Sequence, residues 1–356
     1  MRIKRIGKVT AALGMSAILM SGCSLFGPEQ ETSTTGIDVP PVTETAAQPF
    51  GPDGPVVEGK DEEQSKAPAT EEQTVYLEDA NGYIVPVSLA LPASEGPAKQ
   101  VLTYMVKGGP VEDLLPTGFH AVLPQGTEIK GINIKNGTAT VDFSPQFKKY
   151  EAKDENNILD AIVGALTQFP TVKNVSIWVN GTPLREMPVD KTPIPAVLDH
   201  GHGINLELTE NAVPGRTSAV TVYFQGQIDD KRTYYVPVTR LIPQTDNIAK
   251  AAIEELIKGP KEGSLLFSSF LGTTKVLDVQ QKDDTVTVNL SGEVLKYDSG
   301  KEAHPEAMES LVLSLTENTG AKKVQVLVEG QPLAAAGAND YSKPVTRPAR
   351  VNAIQF

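Results

Sequence analysis

With one cysteine and one tryptophan in 356 residues, the chain can close no internal disulfide. Basic residues are scarce as well. Lys and Arg number 32 against 44 Asp and Glu, a net charge of -12. Four of the basic side chains, Arg2, Lys4, Arg5 and Lys8, fall in the first 22 residues, so from Cys23 onward 28 face 44. Phosphate neutralisation needs clustered Lys and Arg, and the lack of such clusters excludes nucleic acid as a partner. Long apolar runs are missing too: the stretch from Val9 to Met20 has 12 residues, where a membrane-spanning helix needs roughly 20. No Gly-x-Ser-x-Gly elbow, Walker loop or His-Glu-x-x-His run occurs, so the signatures of common hydrolases and nucleotide-binding enzymes are absent. What is present is ordinary globular material, 40% hydrophobic and 6% aromatic, in a length suited to about two domains.

Position explains why a lone thiol is kept. The basic start, the short apolar stretch and the small residues Ser21 and Gly22 lead directly into Cys23. This is the pattern of a lipoprotein signal and its lipobox, with Met20 where Leu is more usual. Residues 1–22 are therefore expected to be a signal peptide and Cys23 the lipidation site. Thioether diacylation, with a third chain on the new amino terminus, gives stable anchoring because each buried methylene contributes about 0.8 kcal/mol. The expected location is the cell membrane, on its extracytoplasmic face. Residues 23–73 follow as an expected disordered acidic linker: from 24 to 73 there are 11 acidic residues and two basic ones, Lys60 and Lys66, with few large apolar side chains. As a flexible coil that length spans roughly 40 Å.

Beyond the linker, residues 74–187 and 219–336 repeat one another at an offset of 146 to 151. Val75-Tyr76-Leu77 answers to Val222-Tyr223-Phe224, and Val85-Pro86-Val87 to Val236-Pro237-Val238. Lys107-Gly108-Gly109-Pro110 answers to Lys258-Gly259-Pro260, and Thr140-Val141-Asp142-Phe143-Ser144 to Thr287-Val288-Asn289-Leu290-Ser291. Val175 to Leu184 matches Val324 to Leu333. Chance does not hold a nearly constant offset over so many blocks. The organisation expected is a first domain over 74–200, an interdomain linker over 201–218 and a second domain over 219–356. Residues 188–218 and 337–356 echo each other faintly, as an edge segment added to each domain would.

Each copy opens with a hairpin, turned in the first at Asp79-Ala80-Asn81-Gly82. A helix follows, over about 97–106 in copy one. In copy two it starts after Thr245 as N-cap, carries Ile248, Ala252, Ile253, Leu256 and Ile257 on one face, and stops at Gly259. Two strands come next, joined at Asn136-Gly137 and at Asp283-Asp284. A second helix bears a stripe of Ile158, Ile162, Ala165 and Phe169, or Met308, Leu311, Val312 and Leu315. A strand rich in β-branched residues closes the series. The fold class is α+β, with tandem ββαββαβ domains and two helices on one face of a mixed, mostly antiparallel sheet.

On these blocks the chain resembles the GerMN-domain lipoproteins, with lipobox, acidic linker and tandem copies accounting for essentially its whole length. The family's domain is similar to the ring-building motif, an αββαβ unit that remains when the leading hairpin is removed. The resemblance implies a non-enzymatic role in spore formation and germination: assembling or stabilising extracytoplasmic partners in the channel complex between mother cell and forespore. It implies anchoring on the mother-cell membrane, facing the intermembrane space. A peptidoglycan-binding or remodelling module is the alternative, motivated by the anchor and its reach.

The resemblance brings no catalytic motif, and no residue is assigned as catalytic, cofactor-binding or metal-binding. His200-Gly201-His202 beside Asp199 offers two imidazoles, short of the three or four ligands a metal site usually needs. His120 and His304 stand alone. Asp142 becomes Asn289 in the second copy, so no acid pair repeats. The Lys-Gly-(Gly)-Pro blocks read as helix stops rather than anion cradles.

Cys23→Ala is expected to release the protein from membranes or leave it unprocessed, as checked by fractionation and the size of the mature chain. Normal processing and membrane recovery would refute the lipidation site.

Overall fold

Alternating apolar side chains build a long hairpin at the head of each copy. In the computed structural model, which describes residues 69–228, 232–297 and 302–353, the first copy begins with β1 (Thr70–Asp79) and β2 (Ile84–Pro92) in antiparallel register. The signal peptide, Cys23 and most of the linker lie outside the described residues. The first strand takes up Thr70 to Gln73, the end of the stretch expected to be linker, because β2 extends to Pro92 and offers those residues partners. Asp79 makes the turn by accepting hydrogen bonds from the Asn81 and Tyr83 amides at 2.8 and 2.9 Å.

The rest of copy one is α1 (Pro97–Tyr104), the short β3 (Phe119–His120), β4 (Ile129–Lys135), β5 (Thr138–Phe143), α2 (Glu155–Thr167), β6 (Asn174–Val179), β7 (Thr182–Pro183) and β8 (Leu198–Asp199). Asn136 and Gly137 join β4 to β5 with φ of 52° and 78°, values that Asn and Gly tolerate best. The β5–β6 pair is parallel, so α2 must cross over between them. The sheet runs β4-β5-β6-β7, with β8 also pairing β6.

The first tail continues as β9 (Glu207–Leu208), and copy two then repeats the order with β10 (Thr217–Ile228), β11 (Arg232–Pro243), α3 (Ile248–Lys258), β12 (Val276–Lys282), β13 (Thr285–Leu290), α4 (Pro305–Thr319), β14 (Lys323–Val328) and β15 (Gln331–Pro332), adding the small pair β16 (Ala335–Ala336) and β17 (Asn339–Asp340) before β18 (Val345–Thr346). Its sheet runs β12-β13-β14-β15, with β18 on β14 as β8 is on β6. The α3 N-cap is Asn247, whose side chain accepts from the Lys250 amide at 2.9 Å. Thr245, the expected cap, instead takes the Asn247 amide at 3.2 Å.

The expected α+β class holds, and its layering is richer than one sheet under two helices. The hairpin joins β3, not the larger sheet. Both helices touch the hairpin and the larger sheet, and so lie between them. A helix covered on two sides needs more than a stripe. Accordingly α2 buries Leu159, Ala161, Val163 and Leu166 in addition to Ile158, Ile162 and Ala165. Between the layers Phe143 stacks on Phe147 with ring centres 4.5 Å apart.

One acid is fixed inside this arrangement. Glu155, at the start of α2 and 1% exposed, accepts from the Tyr150 hydroxyl at 2.6 Å and from the amides of Asp190 and Thr192 at 2.9 and 3.0 Å. Burial pushes its pKa up, but these hydrogen bonds outweigh it and hold the carboxyl at about 2. A depressed folded-state pKa means the contribution is full above the ordinary glutamate range and fades as pH falls toward 2. Glu155→Ala is expected to lose about 2–3 kcal/mol in denaturant unfolding at pH 7, because buried amides lose their acceptor. The deficit relative to wild type should shrink as the pH is taken from 5 toward 2.

Candidate functional site

Of the residues singled out from sequence, Cys23 lies outside the described residues. His120, in β3, lies opposite Glu78 of β1 in the strand register, and His304 is the N-cap residue of α4. Asp142 and Asn289 do the same work in each copy: each side chain accepts the following turn's glycine amide, Gly181 or Gly330, at 2.9 Å. The Gly108 amide donates to Glu112 at 2.7 Å, so the chain's own carboxylate occupies what an anion cradle would offer. Trp178 is half-buried, its indole N–H donating to Ser176 at 3.1 Å. Among the described residues no group of three or more His, Cys, Asp or Glu side chains could hold a metal ion.

The stretch that gathers polar chemistry is the seam between the copies, and the tails that follow the two sheets build it. Residues 201–218, expected to be linker, are folded onto copy two. Thr239 of β11 receives the Ile204 amide on its hydroxyl at 3.0 Å and donates its own amide to the Ile204 carbonyl at 2.9 Å. The β9 strand then pairs in parallel with Arg240 and Leu241. The second tail returns the contact: Ser88 of β2 takes the Val351 amide at 3.1 Å and donates through its amide and hydroxyl to the Val351 carbonyl at 3.1 and 3.0 Å. Each tail thus crosses to the other copy's hairpin.

The next residue in each tail is an asparagine in the left-handed region, Asn205 with φ 50° and Asn352 with φ 54°. The Asn205 side chain accepts from the Ile84 amide at 2.8 Å and donates at 2.7 Å to the carbonyls of Ile84 and Pro237. Asn352 mirrors it, accepting from the Tyr235 amide at 2.7 Å and donating at 2.8 Å to the carbonyls of Pro86 and Tyr235. Ile84 corresponds to Tyr235 and Pro86 to Pro237 at the repeat's offset. The bonding therefore has pseudo-two-fold symmetry, each amide bridging β2 and β11. Both prolines lack a backbone donor, and their carbonyls are what the asparagines take up.

Around this clamp lie groups from every layer. The Tyr234 hydroxyl donates to Asp79 at 2.6 Å across the seam, and the Tyr234 ring meets Phe119 edge-on at 5.1 Å. Glu317 on α4 accepts from Arg347 at 2.9 Å and from the Tyr223 hydroxyl at 3.1 Å, and it pairs with His200. Burial raises its pKa, but the His200 and Arg347 partners prevail and hold it at about 2. His202 reaches Asp160 on α2 at 3.2 Å. Tyr76, Tyr223, His200, Asp160 and Glu317 line a cavity of about 30 Å³, room for about one water. Sequence reading missed Asn205, Asn352, Asp160, Glu317 and Arg347. The signal was there: Ile204-Asn205 and Val351-Asn352 stand 147 residues apart, the offset of the first hairpin strands.

A two-copy domain with this topology has known counterparts. The Germane family, described as "Sporulation and spore germination", matches residues 74–185 and 221–334. The chain belongs to this family. It is 38% identical over 355 residues to the spore germination protein GerM of Bacillus subtilis (strain 168), covering 96% of each chain. The solved structure of the tandem GerMN domains of the sporulation protein GerM from Bacillus subtilis superposes with a TM-score of 0.75 at 40% identity, over 80% of this chain and 99% of that one. These likenesses give a member of the Germane family a sporulation-related role. Among its described residues no helix is long and apolar enough to cross a membrane.

Asn205→Ala and Asn352→Ala are each expected to cost about 2–4 kcal/mol in denaturant unfolding. Each strands buried backbone groups and puts Ala where φ is positive. A loss under 0.5 kcal/mol for either would show that the seam does not depend on it.

Proposed function

We propose that this Germane-family chain is a lipid-anchored, non-enzymatic assembly factor that stabilises the channel complex between mother cell and forespore during sporulation. It is anchored through Cys23 on the extracytoplasmic face of the mother-cell membrane. The observation that carries the reading is the seam. Two copies are fixed to each other by exchanged tails within one compact unit, Ser65–Phe356, while β4 and β12 remain the outer strands of their sheets. Such a body presents paired, oriented surfaces and commits its polar chemistry to holding itself together. That is what a scaffold requires. It also suits the family's sporulation description.

The test is crosslinking in sporulating cells followed by identification of captured neighbours from the membrane fraction. Ring-forming proteins of the complex are expected among them, and deleting the gene is expected to deplete at least one. If every ring component persists in the deletion strain and the fragment 73–356 sediments with purified wall material, the chain is a peptidoglycan-binding module instead.

A further inference from the structure

The duplication sets two side chains at matching points of the seam, 147 residues apart: His200 after β8 and Arg347 after β18. Both meet one carboxylate. The His200 Nε2 faces Glu317 Oε1, and the Arg347 Nη2 lies 2.9 Å from Glu317 Oε2. Arg is a permanent cation, whereas His is charged only when protonated. Glu317 is poorly hydrated, its side chain 14% exposed, so its cations matter.

A second imidazole works beside the first. His202 Nε2 is 3.2 Å from Asp160 Oδ1, and the other oxygen of that carboxylate takes the Asn205 amide at 2.8 Å. Within three residues the first tail therefore places one imidazole on α4 of copy two and one on α2 of copy one. Asp199 holds the turn between them by accepting the Gly201 amide at 2.9 Å. The position matching His202 is Ala349, so this second contact belongs to the first tail alone.

The groups facing His200 are Glu317 on α4, Arg347 on the second tail, Asp199 on β8, and the hydroxyls of Tyr76 on β1 and Tyr223 on β10. Those facing His202 are Asp160 on α2, with Lys153 and Glu207 in the adjoining groove. Lys153 is paired with Glu151, and Glu207 with Arg240. With His200 protonated, two cations meet the Glu317 carboxylate; with it neutral, Arg347 alone does.

We propose that the His200-Gly201-His202 turn is a pH-sensitive latch on the seam: protonation of His200 draws the first tail onto α4, while the His202 contact with Asp160 ties the same turn to α2, and deprotonation of His200 loosens the junction of the copies. The hydrogen bond to Glu317 raises the His200 pKa above its ordinary value, against the opposing effect of burial. A raised histidine pKa makes the latch fully effective below about pH 6.5 and weaker as pH climbs through the raised value.

The compact unit Ser65–Phe356 serves for the test, since it omits Cys23 and contains all four histidines. Its melting temperature is expected to fall by about 2–4 °C between pH 6 and pH 8.5, relative to H200Q/H202Q measured in parallel. H200R, which copies the residue at the matching point, should retain at pH 8.5 most of what the wild type loses. Spin labels at Lys135→Cys and Lys282→Cys read the seam directly: their distance distribution should broaden at pH 8.5 in the wild type and less in H200R. Should H200Q/H202Q fail to fold, H200R and the imidazole titrations followed by NMR decide the matter. A wild-type pH profile retained in both the Gln and Arg variants, or label distances identical at both pH values throughout, would overturn the latch.

Discussion

Strand edges must be satisfied, and the exchange of tails between the two hairpins is how this chain meets that demand. β2 is an outer strand of its sheet, interrupted by Pro86, and β11 carries Pro237 at the corresponding point. An uncovered edge of this kind invites pairing with other chains. Here the first tail covers β11 and the second covers β2, so neither copy can finish its hairpin's hydrogen bonding without the other. The two asparagines bring this to a point. Each takes three backbone groups across two strands, and each sits in a backbone conformation that favours Asn over most residues. The sandwich of hairpin, helices and sheet within each copy can exist around this junction because the hairpin is held from outside as well as from beneath.

Symmetry of the backbone bonding coexists with divergence of the side chains around it. Gly164 on α2 lets the Tyr76 ring lie where a β-carbon would come within 2.5 Å. Its counterpart on α4 is Ser314, whose hydroxyl accepts the Tyr223 amide at 3.0 Å. Leu89 in the core of copy one answers to Arg240 in copy two. Arg240 is 3% exposed and bonded to both Glu207 and Glu255 at 3.0 Å. The extra carboxylate comes from β9, so the charge in copy two is matched by the tail that copy one sends over. Such a change is tolerated because the partner arrived with it: a buried ion pair contributes little by itself, but losing one member is expensive.

Much of the fold is legible in the order of residues alone. The repeat offset set out two copies, and the alternation of residues such as Val141 and Phe143 with polar neighbours fits the face that the structure buries. The Asn-Gly turn and the glycine stop of α3 followed from local backbone preferences. Three things were not legible, for separate physical reasons. The separation of the hairpin from the larger sheet depends on which edges pair, and periodicity is silent about that. The second covered side of α2 was hidden because its small and apolar residues, Ala161 and Val163 among them, are compatible with a half-exposed helix face as well as a buried one. Glu155 and the seam residues were hidden because a polar side chain that bonds distant backbone leaves no periodic trace. For Asn205 and Asn352 a trace did exist, in the repeat itself, once the offset is followed past the last strand of each sheet.

The twin clamps are alike in bonding and unlike in the length of chain they close. The shortest closure Asn205 makes is to Pro237, across 32 residues, whereas the shortest Asn352 makes is to Tyr235, across 117. Loop-closure entropy makes the longer connection about 1 kcal/mol harder to form from an open chain. A symmetric product therefore has an asymmetric history: the first tail can settle on the hairpin that follows it while the second must wait for both copies to be in place. That order makes the earlier clamp a template and the later one a lock.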